Sequence, residues 1–564
     1  MKFAVILLAG SSLMATAAMA ANADAIWYGG HIITVDAKAS TAEAVAVKDG
    51  LIVAVGKKGE VEKAERGPAT VMNDLKGKVM TPGFVDPHSH FTYALDMADQ
   101  VNASPPPVGP GNSPAAIVAA FKQFATARKI PAGELIVGYG YDETQMQGGQ
   151  PLTRDILDAA FPNNPVYVIH VSGHGAVLNS LAFAKYGISA ATPTPPGGII
   201  QRKPGSMEPS GLVMETGYLP VFLNKPKATP AQEVSQLKFA QAMYASAGVT
   251  TAQDGASHQA DIALLQRHAA ANELYLDIVS YAFFLELDPI LKANPPATWG
   301  KYSNRYKIGG CKIISDGSPQ AKTAAFTTPY LTGGPSGQVN WKGELSATQD
   351  QFNTAMKLCY DNGLQVLVHV NGDAAVDAAL QAHEYAAAGS LGKDRRTVLV
   401  HSQFARLDQL DKYVTYKIIP SMFAEHTFFY GDVHVANRGK TQAYFESPLK
   451  TAIGLKLLPT NHTDFNVAPI NQLWTIWSAV NRTSRTGVVI GPDERITPYQ
   501  ALQAITINSA RQYGEEASKG SIETGKRADL VILDANPLTV APDKIKDVKV
   551  VQTIKDGKAI YTAP

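Results

Sequence analysis

An α/β fold is expected of these 564 residues: a (β/α)8 TIM-like barrel, a small β-sandwich domain formed by both termini, and a long insertion after the first barrel strand. Three observations carry that expectation. Through the middle of the chain, strand-like apolar runs alternate with helical stretches, the pattern of βα units around a parallel sheet. Both ends are rich in β-branched residues punctuated by Gly-Gly and Asp-Gly, which reads as hairpins. Histidines stand at the ends of three of the central runs, and barrels of this class gather their chemistry at strand C-termini.

Taken in order, Met1-Lys2 opens an otherwise uncharged segment, Phe3 to Ala23. One basic residue, the apolar FAVILLAG and the small residues Ala18-Met19-Ala20 have the order of a secretory signal. Residues 1–20 are therefore expected to be a signal peptide cleaved after Ala20, with Ala21-Asn22-Ala23 as a second candidate site, and the mature protein to be periplasmic or secreted. Its apolar part is only about a dozen residues, short of a membrane span. Residues 24–80, with AIWYGGHIITVD and AEAVAVKDGLIVAVG, give the first part of the β-sandwich. Residues 519–564, with DLVILDANPL and VKVVQTIKDGKAIYTA, give the second.

Residues 81–518 are expected to hold the barrel. Its strands are read as VMTPGFVD (79–86), GVTTAQD (248–254), LDIVSYAFF (276–284), KIGGCKIIS (307–315), LQVLVHV (364–370), RTVLVHS (396–402), YKIIPSM (416–422) and LKLLPTN (455–461). Eight is the number that closes such a barrel. ELIVGYG and NPVYVIH also have strand character, but they fall in an insertion of about 100–245 that opens with the Pro/Gly-rich loop ASPPPVGPGNSP.

Composition excludes several functions. Lys plus Arg number 50 against 49 Asp plus Glu, so there is no electrostatic footprint for nucleic acid or an anionic membrane. A small-molecule substrate is expected, with no membrane partner after signal cleavage. Near-neutral charge leaves self-association into a homo-oligomer open. The two cysteines, Cys311 and Cys359, are too few for a disulfide scaffold; they either pair or stay buried and free. Alternation along its strand points Cys311 outward, toward the helices.

The chemistry starts at Phe84-Val85-Asp86-Pro87-His88-Ser89-His90. A strand places residues i and i+2 on one face, so His88 and His90 can point together into the barrel as metal ligands. His369 closes LQVLVH and His401 closes RTVLVH, and all four imidazoles can converge at one end of the barrel. Asp464, beyond the last run, is a candidate metal ligand and proton acceptor. The same residue would also serve as the N-cap of the following helix, and His462 is a rival ligand. Lys312 lies inside an apolar strand, where an unpaired ammonium is costly. It needs either a partner, for which Asp316 is available, or conversion by CO2 to a carbamate that bridges two metal ions.

These residues resemble amidohydrolase family 3, the YtcJ-like metal-dependent hydrolases of the amidohydrolase superfamily. The resemblance runs through TPGFVDPHSH (81–90), GYDE (140–143), SGHGAVLNSLA (172–182), GVTTAQD (248–254), CKIISDGSPQAKTAAFTTPY (311–330), VLVHVNGD (366–373), VLVHSQ (398–403) and GSIETGKRADLVILD (520–534). It covers nearly the whole mature chain and implies the barrel and two-ended β-domain already read from the residues. Carried over by position, it implies metal ligands His88, His90, His369 and His401, a carboxylated Lys312, and Asp464 as ligand and acid/base. It further implies His174 near the substrate as an oxyanion-stabilising catalytic group, or else as a loop histidine that holds the insertion, with Tyr141 and Asp142 as substrate-binding residues and Glu143 beside them in the pocket. The chain departs from the family pattern in NHTDFNV (461–467), which replaces a Ser-Asp-Ala-Pro-like turn, and in Asn371 before Gly372-Asp373. His170, Trp474 and Trp477 are expected to pack.

The activity so implied is hydrolysis of an amide-type, non-peptide C–N bond, using one or two divalent metal ions per chain, with zinc the expected ion. A lactone or carbamate hydrolase is an alternative on the same site. A non-catalytic exported protein, similar to proteins named for exoenzyme regulation, is an alternative of another class. An aromatic stretch, SMFAEHTFFYGD (421–432), makes room for an apolar or aromatic acyl group.

Overall fold

The computed structural model describes residues 22–564 except 174, 196, 197 and 336. The expected signal segment, residues 1–20, and His174 lie outside the described residues.

The centre of the fold is a curled sheet of eight strands, all parallel. In chain order these are β1 (Phe84–Val85), β2 (Val249–Ser257), β3 (Asp277–Phe283), β4 (Tyr306–Ile314), β5 (Gln365–Val370), β6 (Val398–His401), β7 (Ile419–Met422) and β8 (Thr460–Asn461). Spatial order follows chain order from β1 to β8. Just beyond the two outer strands the chain meets itself: the amide of His90 donates to Phe465 O at 2.7 Å, and that of Asp464 to His88 O at 3.2 Å. Strands covered on both faces read as continuous apolar runs rather than alternating ones. The inside is filled by Val85, Val279, Tyr281, Leu367, Val398, Val400, Ile419 and Tyr513.

Two runs are shorter than the sequence suggests. Val79–Pro82 belongs to the sheet of the chain termini, where it pairs with Leu530–Leu533; only Phe84–Val85, beyond Gly83, joins the parallel sheet. A side chain at Gly83 would strike Thr250, so glycine permits this close crossing between two sheets. Likewise only Thr460–Asn461 of the last run pairs.

Alternation is obeyed on β4. Lys312 turns inward, while Cys311 turns outward and forms a disulfide with Cys359 on the helix Gln349–Asp361. The open question of the two cysteines is thus answered by a bond between the sheet and its outer helical layer.

The strands from the two chain ends, expected as a sandwich, lie in one eight-stranded sheet. Ala25–Ile33 pairs with Thr41–Lys48, Val71–Asp74 and Val79–Pro82. Leu530–Leu533 and the hairpin Val550–Lys555/Lys558–Thr562 extend the sheet on the other side. Trp27, Ile32, Val45, Ile52, Met80, Leu530, Ile532 and Ile554 share one buried cluster. Between β1 and β2 the chain forms a separate six-stranded sheet. Ile136–Tyr141 and Val166–His170, the two extra strand-like segments, are parallel neighbours within it.

A buried ionic network joins the terminal sheet to the N-terminal end of the parallel strands. Asp277, which opens β3, accepts hydrogen bonds from Lys519 (2.5 Å) and Lys555 (2.7 Å). Lys555 also reaches Asp529 at 2.7 Å, Lys519 reaches Glu515 at 2.8 Å, and Lys307 reaches Glu515 at 2.5 Å. Burial works against the charged carboxylates here, but the flanking lysines outweigh it: Asp277 is held far below its usual range and Glu515 down to about 2.

Candidate metal centre and active site

At the C-terminal end of the parallel strands, His88 Nε2, His90 Nε2 and a carboxylate oxygen of Asp464 converge, with their ligand atoms all within 4.8 Å of one another. Asp464 Oδ1 lies 3.2 Å from His88 Nε2 and 3.4 Å from His90 Nε2, yet it is buried with no hydrogen-bond partner among the described residues.

The imidazoles are oriented from behind. His88 Nδ1 faces Gln253 Oε1 at 2.5 Å, and His90 Nδ1 faces Gly255 O at 2.7 Å. Both partners are acceptors, so each Nδ1 carries the proton and each Nε2 presents its lone pair to Asp464. Gln253 cannot flip without loss, because its Nε2 donates to Pro87 O at 2.5 Å and to Tyr513 Oη at 2.8 Å. Three lone-pair atoms therefore face one another, that of His88 with Lys312 Nζ also 3.0 Å away, an arrangement that a bound divalent cation satisfies.

Electrostatics agree with that reading. Burial, with Lys312 adding to it, pulls His88 down to about 3, and burial holds His401 and His462 well below the usual histidine range. Neutral imidazoles are what metal ligation requires. Burial alone would raise Asp464; to the extent that the facing imidazoles of His401, His88 and His90 carry protons, they outweigh it and hold the carboxyl well below its usual range.

His369 and His401 reach the same cavity. His369 Nδ1 and His401 Nε2 face each other at 3.1 Å, and the His401 ring centre is 5.5 Å from that of His88. Strict alternation after the inward Val398 and Val400 would turn His401 away. Its φ of +70° breaks the alternation and returns the ring to the site. His462 stands behind His401 rather than in the cavity: its Nε2 meets His401 Nδ1 at 3.0 Å and its Nδ1 meets Ser421 Oγ at 2.9 Å.

Lys312 is buried, with Nζ 3.0 Å from His88 Nε2; burial brings its ammonium down to about 7, against the pull of Asp464. Asp316 is not its partner. That carboxylate is used by the amides of Ala325, Asn371 and Gly372 at 2.8–3.0 Å, so it organises the loop beyond β5. Asp464 is not a helix N-cap either, since Asn471 caps the helix Gln472–Asn481. Trp474 and Trp477 pack from that helix, their rings stacked at 6.1 Å.

The cluster opens into a cavity of about 750 Å3 that also meets Phe283, Phe423, His426 and Arg267. Tyr141 and Asp142 do not line it. The Tyr141 hydroxyl accepts from the Leu152 amide at 3.1 Å, and Asp142 caps the turn at Thr144. His170, expected to pack, pairs with Glu143 at 2.7 Å. The sequence reading assigned no role to Gln253, although a glutamine inside the apolar strand GVTTAQD is the same kind of signal that singled out Lys312. It assigned none to His426 either.

The sequence model of the amidohydrolase family matches residues 72–561. The chain belongs to the amidohydrolase family. This amidohydrolase is 27% identical over 543 residues to the N-substituted formamide deformylase of Arthrobacter pascens, covering 94% of this chain and 97% of that protein. It is 30% identical over 562 residues to protein LONG AFTER FAR-RED 3 of Arabidopsis thaliana, covering 96% and 92%. Its fold is shared with an uncharacterized metal-dependent hydrolase from Pyrococcus furiosus: TM-score 0.72 at 24% identity, over 91% of this chain and all of that one.

In the amidohydrolase, Gln253→Leu removes the acceptor that fixes the His88 tautomer without opening a large void. Metal affinity is expected to fall about 10–100-fold, measured by competition with a chromophoric chelator. An unchanged affinity would show that Gln253 does not set the ligand.

Proposed function

We propose that this amidohydrolase hydrolyses a non-peptide C–N bond in a small amide, N-substituted formamides included, with zinc held by His88, His90 and Asp464. One observation carries the reading: two oriented Nε2 lone pairs and the unpartnered Asp464 Oδ1 meet at the floor of a cavity of about 750 Å3, which is room for a small organic substrate. The deformylase, matched over nearly the full length of both chains, supports the choice of bond. The bonded Cys311–Cys359 pair supports an oxidising, extracytoplasmic compartment.

A divalent ion held by His88, His90 and Asp464 would supply a Lewis acid for the carbonyl and would activate water near neutral pH. The chain's own residues do the rest. Gln253 and the Gly255 carbonyl hold the imidazoles in register. Asp464, kept ionised, accepts a proton at its carboxylate and returns it to the departing nitrogen. Phe283 and Phe423 give the cavity an apolar wall.

Metal content by elemental mass spectrometry, joined to a panel of formamides, longer-chain amides and lactones, tests the proposal. About one or two zinc ions per chain and chelator-sensitive amide hydrolysis are expected. Two ions would call on His369, His401 and a carboxylated Lys312 as further ligands; one would leave Lys312 an amine beside His88. Protein that neither holds nor takes up metal would sink the reading, and preference for lactones would move it to a C–O bond.

A further inference from the structure

Four residues past β7, beyond Phe423, the cavity wall continues into the short helix His426–Phe429. His426 is 3% exposed and lines the same cavity as His88, His90 and Asp464. Its ring lies 4.2 Å from Phe423 and 4.9 Å from Tyr430, and Phe423 in turn lies 5.0 Å from His462 and 6.0 Å from His401. One aromatic ring therefore separates His426 from the histidine row. Among the described residues, neither ring nitrogen of His426 has a hydrogen-bond partner; Nδ1 is shut off from solvent, which leaves Nε2 as the nitrogen that can meet the cavity.

A buried imidazole without partners costs about 1–3 kcal/mol, and a fold retains such a group where something else satisfies it. The tautomer follows from the two edges. An orphaned donor is rarer in proteins than an under-satisfied acceptor, which puts the proton on Nε2 and leaves the lone pair on the sealed Nδ1. Burial keeps the ring neutral, well below the usual histidine range. The result is a single N–H donor, backed by Phe423 and Tyr430, on the wall of the cavity that also holds His88, His90 and Asp464.

We propose that His426 is a further catalytic residue, whose Nε2–H donates to the carbonyl oxygen of the amide substrate and to the oxyanion that develops there. The assignment rests on the C–N hydrolase reading above. As water oxygen bonds to the carbonyl carbon, the C=O π pair moves onto oxygen and His426 meets that charge. When the pair returns, the C–N bond breaks and the nitrogen leaves with the proton held by Asp464. His426 itself neither gains nor loses a proton.

The test uses the full-length enzyme with His426→Phe, which suits an aromatic niche, and His426→Gln, which keeps an N–H donor. With N-alkyl and N-aryl formamides, His426→Phe is expected to lower kcat about 10²–10³-fold with little change in KM, and His426→Gln to recover part of the loss. Metal content should be unchanged, and the melting temperature of the Phe variant equal or higher, because an unpartnered polar group has been removed. A Phe variant with native turnover overturns the assignment. So does one whose lost activity tracks a lowered melting temperature, since that marks a structural histidine. If the native enzyme hydrolyses no amide of the panel, the C–N reading falls first and this assignment falls with it.

Discussion

Asp464→Asn is expected to lower kcat by about 10²–10⁴-fold, the usual weight of a general acid–base group, in a protein that remains folded. The isosteric amide leaves the backbone contacts of this position intact: its N–H still reaches His88 O, and its carbonyl still accepts from Val467 at 2.7 Å. What changes is the oxygen that faces His88 and His90. An amide has no charge to offer a cation and cannot take a proton from water, so binding and chemistry suffer together. Turnover on a formamide, read beside circular dichroism and metal content, checks the result. Full turnover in a folded, metal-loaded variant would remove Asp464 from the mechanism.

The second large effect is on stability and lies at the opposite end of the sheet. Asp277→Ala leaves Lys519 and Lys555 buried without the carboxylate they share. Breaking a buried pair by removing one partner costs about 3–5 kcal/mol, and the remaining Glu515 and Asp529 place this case near the lower figure. The urea midpoint at neutral pH should fall accordingly. The network also predicts an acid arm. Glu515 and Asp277 are depressed in the folded state, so each contributes stability that is complete above its unfolded pKa and is lost as pH falls through its folded one. For Glu515 that window runs from 4.5 down to about 2. Asp277→Ala should lower the plateau at neutral pH more than the value at pH 2. Equal losses at both would show that the carboxylate charge does not hold this interface.

Much of this was legible from residue types alone. Strand runs with a histidine at the C-terminal end gave His88, His90, His369 and His401, because period two and burial on both faces leave few other readings for such segments. Lys312 and the outward Cys311 followed from the same alternation. What stayed hidden depends on contacts between distant segments. The Gly255 carbonyl behind His90 is a backbone atom with no sequence mark. His401 reaches the site through a positive φ, which a β-branched run ending in His-Ser does not announce. Asp316 looked like the natural partner for Lys312 four residues away, yet its oxygens are spent on the amides of Ala325, Asn371 and Gly372. Tyr141 ends a strand of the inserted sheet and Asp142 caps the turn after it, and no local pattern encodes whether those positions face the cavity. Val79–Pro82 looked like a barrel strand because an apolar strand is apolar in either sheet.

That last strand also fixes the order in which the molecule can be built. Val79–Pro82 lies between Ile32 and Leu530–Leu533, so one side of it is satisfied by a strand made before it and the other by one made after the whole parallel sheet. On the ribosome the N-terminal strands must wait with an open edge while the whole parallel sheet is synthesised. Pairings of such sequence separation are slow to form and leave edges exposed to other chains meanwhile. Leu530–Leu533 is therefore the late partner: until it is made, a nascent chain that already carries His88, His90 and Asp464 leaves one edge of Val79–Pro82 unpaired.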